Sequence, residues 1–264
     1  MTGDGIAIRR VETQAEYEEC VRIQDETWGA GFSERVPSAI LKVAQYLGGV
    51  TAAAFDGEEA DARILGFVFG MTGIRDGQLV HWSDMLAVRP EARDHGIGRR
   101  LKLYQRSLVA QLGVTQILWT FDPLVSRNAH LNLNALGARV TDYVPDMYGA
   151  DTGSTLHQGI GTDRFVVAWE VSGAAGQMGR GAGSGDARVE AGRRGGGEGR
   201  TGTEVVVEIP HDIQELIAAD PAAARKWRES TRPAFLRLLA EGYRVAGFER
   251  SPAGGFYRLT RDSD

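Results

Sequence analysis

The sequence predicts a mixed α/β fold: a mostly antiparallel sheet with one central parallel strand pair and flanking helices, followed by a smaller αβ part. Three observations predict it. Asp56-Gly57 and Asp76-Gly77 each separate apolar runs; both central residues of a type I′ turn need positive φ, so such pairs mark hairpins and antiparallel strands. After Pro90 the apolar spacing changes from two to about 3.6, which places a helix between two strands and makes that pair parallel. From Ser172 to Thr203 glycine dominates and large apolar residues nearly vanish.

The elements follow in order. Ile6–Arg10 alternates apolar and polar residues as a short strand does. Ala15–Trp28 carries Tyr17, Cys20, Val21 and Gln24 at helical spacing, and Ser38–Leu47 is a second helix after Pro37. Val50–Phe55, Arg63–Thr72 and Leu79–Val88 are three successive antiparallel strands joined at the two Asp-Gly turns. Ile97, Leu101, Leu108 and Leu112 share one helical face that ends at Gly113. Thr115–Phe121 is the strand parallel to Leu79–Val88. Ser126–Leu136 is a helix closed by Gly137, and Ala138–Tyr143 and Arg164–Val171 complete the sheet.

Residues 172–203 are too poor in large apolar side chains to offset their ordering entropy, so they are expected to form a flexible linker. They divide the chain into a first domain, 1–171, and a C-terminal part, 204–264. The latter reads as strand (Glu204–Ile209), helices (Asp212–Ala219 and Ala222–Ala240) and strands (Tyr243–Glu249 and Gly255–Thr260). This order repeats the second half of the first domain: Leu118-Trp-Thr-Phe-Asp-Pro with Leu136-Gly-Ala-Arg-Val, against Val206-Val-Glu-Ile-Pro with Glu241-Gly-Tyr-Arg-Val. The C-terminal part is therefore a suspected half-repeat that docks on, or extends, the main sheet.

Composition limits the function classes. The 30 Lys and Arg against 35 Asp and Glu give a formal charge of −5, so no electrostatic pull towards nucleic acid or an anionic membrane is expected. One cysteine, Cys20, excludes an intramolecular disulfide and reads as a small apolar filler. Met1–Arg10 shows no secretory signal, and no stretch approaches the ~20 apolar residues of a membrane span. A cytoplasmic location is expected. The His and Cys spacings offer no metal set.

One stretch carries chemistry: Asp84-Met-Leu-Ala-Val88-Arg-Pro90-Glu-Ala-Arg93-Asp94-His95-Gly96-Ile97-Gly98-Arg99. A strand ends at Val88 and a helix opens near Ile97. Gly96 and Gly98 remove Cβ atoms where a ligand must approach the backbone, and the first-turn amides of the helix have no internal partners. With the positive end of the helix dipole these amides form an anion site suited to a pyrophosphate. Arg93 and Arg99 add charge-assisted contacts.

Leu86-x-Val88-x-Pro90 on a strand, then Arg93-x-x-Gly96-x-Gly98, then an amphipathic helix, resembles the acyl-CoA-binding signature of the GNAT superfamily of N-acyltransferases. The resemblance continues through Ser126-Arg-Asn128-Ala129 and Leu133-Asn-Ala-Leu-Gly137. It implies a splayed pair of central strands with pantetheine in the gap, held by backbone of Leu86, Ala87 and Val88. It implies cofactor contacts from Arg93, Asp94, His95, Gly96, Ile97, Gly98 and Arg99, with Ser126 and Asn128 as further candidates. Trp28 falls in the loop that lines the acceptor pocket in that family, and Arg127 is a candidate for an acceptor carboxylate. The tyrosine that protonates the departing thiolate in many members is replaced by Leu133, with Tyr143 and Tyr148 as possible substitutes.

Asp84, an acid in an otherwise apolar strand, is the first candidate for general base and His81 the second. Strand alternation puts Asp84 on one face with Leu86 and Val88, and His81, Ser83 and Met85 on the other. The expected function is transfer of an acyl group, chiefly acetyl, from acyl-CoA to the primary amine of a small molecule, directly in a ternary complex. The alternative is a non-catalytic acyl-CoA sensor or interaction module. Oligomeric state stays open, a homodimer included.

Overall fold

The computed structural model describes residues 5–59, 62–171, 198–201 and 204–261. Its elements are β1 (Ile6–Arg10), α1 (Gln14–Trp28), α2 (Ser38–Tyr46), β2 (Val50–Asp56), β3 (Ile64–Arg75), β4 (Gln78–Val88), α3 (Ile97–Ala110), β5 (Gln116–Phe121) and α4 (Ser126–Ala129). They continue with β6 (Arg139–Val144), β7 (Arg164–Glu170), β8 (Glu198–Thr201), β9 (Glu204–Pro210), α5 (Ile213–Ala219), α6 (Pro221–Ala240), β10 (Arg244–Ser251) and β11 (Gly254–Thr260). Seven strands form the main sheet in the order β1-β2-β3-β4-β5-β7-β6, and four form a second sheet, β10-β11-β9-β8.

The Asp76-Gly77 turn forms as expected, with φ of 51° and 75°. Asp56-Gly57 does not make the tight turn predicted for it. Only Gly57 has positive φ, and β3 begins at Ile64, so the pair opens a longer loop. The predicted helix at Ser126 also differs: α4 passes after one turn into a π-helix, His130–Ala135, before Gly137 closes it at φ 71°. Most of the expected linker lies outside the described residues, and its residues 198–201 are β8, which pairs with β9.

The sheet has an apolar layer on each face. Val50, Ala52 and Ala54 of β2 and Leu65 and Val68 of β3 pack with Ile97, Leu101 and Val109 of α3. Ala53, Phe55, Phe67 and Phe69 face the other way, onto Tyr17, Cys20 and Ile23 of α1 and Leu41 of α2. A capping box between Thr13 and Glu16 starts α1. Gln24 then binds Val36 through both its N–H and its carbonyl, fixing the loop that carries Trp28 and Phe32. Arg89, at the end of β4, pairs with Glu19 and Glu26 of α1.

The C-terminal part shares the first of these cores. Phe165 of β7 meets Phe235 of α6 and Tyr257 of β11 at ring separations of 4.8 and 5.4 Å. Tyr257 Oη donates to the Pro123 carbonyl at 2.7 Å, and Asn134 donates to the Phe248 carbonyl at 2.8 Å. The strand order of the suspected half-repeat matches: β9 pairs with β11 and β11 with β10, as β5 pairs with β7 and β7 with β6, all antiparallel.

Candidate functional site

The central parallel pair is short. β4 and β5 are hydrogen-bonded only at Val80↔Gln116, His81↔Ile117 and Trp82↔Leu118. Beyond Trp82 no described strand pairs with Ser83–Val88 on the β5 side, while on the other side Leu86, Ala87 and Val88 stay paired with β3. The sheet therefore opens into a gap whose mouth lies at the ends of both strands.

A β-bulge sits where the gap starts. Phe69 pairs with Met85 and Met71 with Trp82, so β4 holds one extra residue there. The extra residue breaks the alternation expected from the sequence. His81 meets Thr72, Ser83 meets Lys102 of α3, and Leu86 and Val88 pack on the α3 core. Met85 and Ala87 belong to the α1 core, and Asp84 accepts from the Trp82 indole at 3.2 Å. The expected grouping of His81, Ser83 and Met85 on one face is thus corrected: the bulge separates Met85 from the other two.

The Arg93–Gly98 loop stands at the mouth of the gap. Asp94 and Gly96 have φ of 64° and 71°, and Gly96 is the N-cap of α3, leaving the first-turn amides without side-chain caps. A Cβ at Gly98 would stand in van der Waals contact with Leu86 and Leu131, each 3.7 Å away. Arg93 donates to the Val88 carbonyl at 3.1 Å, which ties the loop to β4. Burial and the neighbouring Arg127 charge depress the Arg93 pKa, so two cations stand close together at this end. Arg99 is exposed and donates to the Ala135 carbonyl, and His95 contacts the Arg93 carbonyl. Ile97 is buried beneath the loop.

One cleft runs from the gap to the loop after α1. Its lining includes buried Ser83, Lys102, Trp119 and Asn132, half-buried Trp28, Phe32, Leu86, Leu131, Tyr148 and Arg164, and exposed Glu34 and Asp84. Trp28 and Phe32 are stacked at 5.5 Å. Asp84 is exposed at the cleft, yet desolvation by the surrounding walls, with the Glu34 charge adding to it, raises its pKa above the usual carboxylate range, against the Trp82 hydrogen bond that lowers it. Tyr148 Oη lies 3.0 Å from Thr120 Oγ1, and burial raises its pKa. Arg164 is pinned by the Asp163 carbonyl and stands over the Tyr148 ring.

Of the sequence candidates, Asp84, Leu86, Asn128 and Trp28 line this cleft. His81 does not. It is fully buried behind the bulge, and burial together with Lys102 pushes its pKa down to about 3. Tyr143 is not there either: it is buried in the Phe165–Phe235 cluster and donates to Asp163, so Tyr148 is the tyrosine at the cleft. Ser126 is buried at the start of α4, and Arg127 is exposed and donates to Gln214 at 2.7 Å. Leu133 packs on the core, whereas its neighbours Leu131 and Asn132 reach the cleft.

Sequence reasoning missed Lys102. Its Nζ is enclosed, donating to Ser83 Oγ at 2.7 Å and lying 3.9 Å from the Trp119 ring centre. Burial alone pulls its pKa down to about 7. The available signal was its phase: Leu101, Lys102, Gln105 and Val109 form the inward stripe of α3, while Leu112 lies beyond the helix and is exposed.

No protein-family model matches the chain, and neither does any curated protein sequence. Solved structures do. One is the yncA protein of Salmonella typhimurium, an acetyltransferase by its description, solved with acetyl-CoA. It is 18% identical, with a TM-score of 0.50 over 66% of this chain and 99% of that one. Another is an N-acetyltransferase from Staphylococcus aureus Mu50, 12% identical, with a TM-score of 0.50 over 64% of this chain and 100% of that one. With the seven-stranded order, the single parallel pair and the opening after Trp82 already described, these likenesses show that the chain has the GNAT fold.

Proposed function

We propose that the chain is an acyl-CoA-dependent N-acyltransferase that moves an acetyl group to the primary amine of a small molecule. The observation that carries the reading is the gap between β4 and β5, open from Ser83 to Val88 and headed by uncapped amides of α3. Such a gap offers strand-edge amides and carbonyls to a chain of amides such as pantetheine, as an unpaired strand edge does to any extended partner. The helix N-terminus, with Arg93 and Arg127 near it, suits the pyrophosphate.

The donor and acceptor would meet at the bulge. Asp84, with its raised pKa, is placed to take the proton that the attacking nitrogen loses. Trp28 and Phe32 give the cleft an aromatic wall, and Glu34 and Asp84 give it negative charge. That combination favours an acceptor that arrives as a cation. Transfer is direct: the amine attacks the thioester carbonyl, and the two reactants are held together rather than linked through the protein.

The test is calorimetric titration of acetyl-CoA into the protein and into a Gly98→Trp variant, followed by an amine screen. Binding that is lost in the variant supports the reading. Equal binding by both would remove the gap from consideration as the donor site.

A further inference from the structure

On that reading, we propose that Lys102 protonates the departing CoA thiolate, taking the place of the tyrosine that this chain lacks at Leu133. The geometry points to it. Lys102 lines the cleft with Ser83, Leu86 and Trp119 and is buried there, whereas Asp84 and Glu34, which line the same cleft, are exposed. Pantetheine entering past Gly98 and Leu86 would bring its sulfur to the Lys102 end first. The base and the acid would then stand on opposite sides of the reacting carbon.

The surroundings of Lys102 are those of a proton carrier rather than of a structural ion. Among the described residues it has no carboxylate partner; it is held by one hydroxyl and one aromatic face. The titratable group that couples to it is His81, on β4. From its other neighbours, α3 presents Gln105, β5 Trp119 and the π-helix Asn132, none of them ionisable there. Behind it lies a polar nest in an otherwise apolar core. Thr72 donates to the Gly48 carbonyl and so accepts from His81 Nδ1, leaving His81 Nε2 as a bare acceptor. That atom and both polar atoms of Gln105 are buried without partners, beside Gly70. Unpaired buried polar atoms on the inward face of a helix are rare.

The step balances simply. The neutral amine adds to the thioester carbonyl carbon, and Asp84 accepts the proton that the nitrogen loses. On collapse the C–S bond breaks with its electron pair going to sulfur. A proton passes from Lys102 Nζ to sulfur, giving CoA–SH and a neutral lysine; before the next turnover Asp84 gives its proton to water and Lys102 takes one from water. A lysine near pKa 7 is a stronger acid than a free thiol at about 8.5, so the transfer runs downhill.

The experiment uses the full chain, with acetyl-CoA as donor and hydroxylamine, which is neutral near pH 7, as acceptor. Wild type is compared with Lys102→Met, Lys102→Arg and Tyr148→Phe. Calorimetry reads acetyl-CoA binding, thiol release reads turnover, and the 13C signal of labelled Lys102 reads its titration. The proposal expects unchanged acetyl-CoA binding in Lys102→Met, with kcat down roughly 10²–10⁴-fold and the fall in rate above about pH 7 abolished. Lys102→Arg, charged but unable to give up a proton, should be as slow. In the wild type the Lys102 signal should titrate near neutrality and shift when CoA is added.

A Lys102→Met enzyme within threefold of wild type overturns the proposal. So does a Lys102 signal that titrates where exposed lysines do and ignores CoA, or a high-pH limb lost in Tyr148→Phe and kept in Lys102→Met. A wild type that binds no acetyl-CoA fails the reading of the site itself, which is a different result. Should Lys102→Met not fold, Lys102→Arg and the lysine titration decide.

Discussion

Arg228 of α6 donates to Asp122, just past the end of β5, at 2.6 Å, and both side chains are buried. The contact joins the C-terminal part to the strand that forms one wall of the cleft. Arg228 Nη1 lies 3.9 Å from Asp163, which Arg232 also binds at 2.5 Å. Arg228→Ala would leave Asp122 without its closest cation in a buried setting. A loss of about 3–5 kcal/mol is expected, the usual consequence of breaking a buried pair from one side. Urea unfolding measures it, and a loss below about 1 kcal/mol would mean that water replaces the guanidinium.

Lys102 gives a stability prediction with a definite sign. Its folded pKa, near 7, lies below the ordinary lysine value of about 10.4, so between these pH values the unfolded chain binds the extra proton. Stability from this group therefore rises as pH climbs from 7 to 10. At or below pH 7 the penalty is complete, on the order of 4 kcal/mol. Lys102→Met should then melt higher than wild type at pH 7, with the advantage shrinking towards pH 10. A variant that melts lower at both pH values would show that the Ser83 and Trp119 contacts outweigh the buried charge.

Asp84 predicts the acidic limb of the rate profile. As a base it works only when ionised, and its raised pKa puts that limb above the ordinary carboxylate range. Asp84→Asn should lower kcat by roughly 10²–10⁴-fold and remove the limb. Glu34→Gln takes away a like charge that raises the Asp84 pKa, so the limb should move to lower pH with little change in the plateau. An unmoved limb in Glu34→Gln would assign it to another group.

Gly70 predicts a steric effect. A methyl group there would collide with the Trp82 carbonyl, His81 Nε2 and Gln105 Nε2. Because the Trp82 carbonyl belongs to the strand at the neck of the gap, Gly70→Ala should destabilise the fold by about 1–3 kcal/mol. A melting curve unchanged from wild type would place slack in β4 at the bulge.

Much of this was legible in the sequence. The Asp76-Gly77 hairpin, the Gly96–Gly98 loop and the helix after it are local, each fixed by backbone demands of a few residues. The half-repeat was legible as an order of elements, and its strand pairing follows the same order. The bulge was not, because one extra residue between Trp82 and Met85 leaves no mark on an alternating pattern. Tyr143 and Tyr148 were equally good tyrosines in sequence. What separates them is the C-terminal part, whose Phe235 claims Tyr143 for the core. Arg164 at the cleft and the Arg228–Asp122 pair depend on contacts between distant segments, which no local period encodes.

The second sheet keeps the strand order of the first but not its opening. β8 runs antiparallel along β9 and stays paired from Thr201↔Glu204 to Glu198↔Val207, on the flank that corresponds to the one β4 leaves beside β5. The duplicated-looking half is thus a closed counterpart of an open one, and the stoichiometry follows. A titration with acetyl-CoA should saturate at one equivalent per chain, although the chain carries the β-α-β-β unit twice.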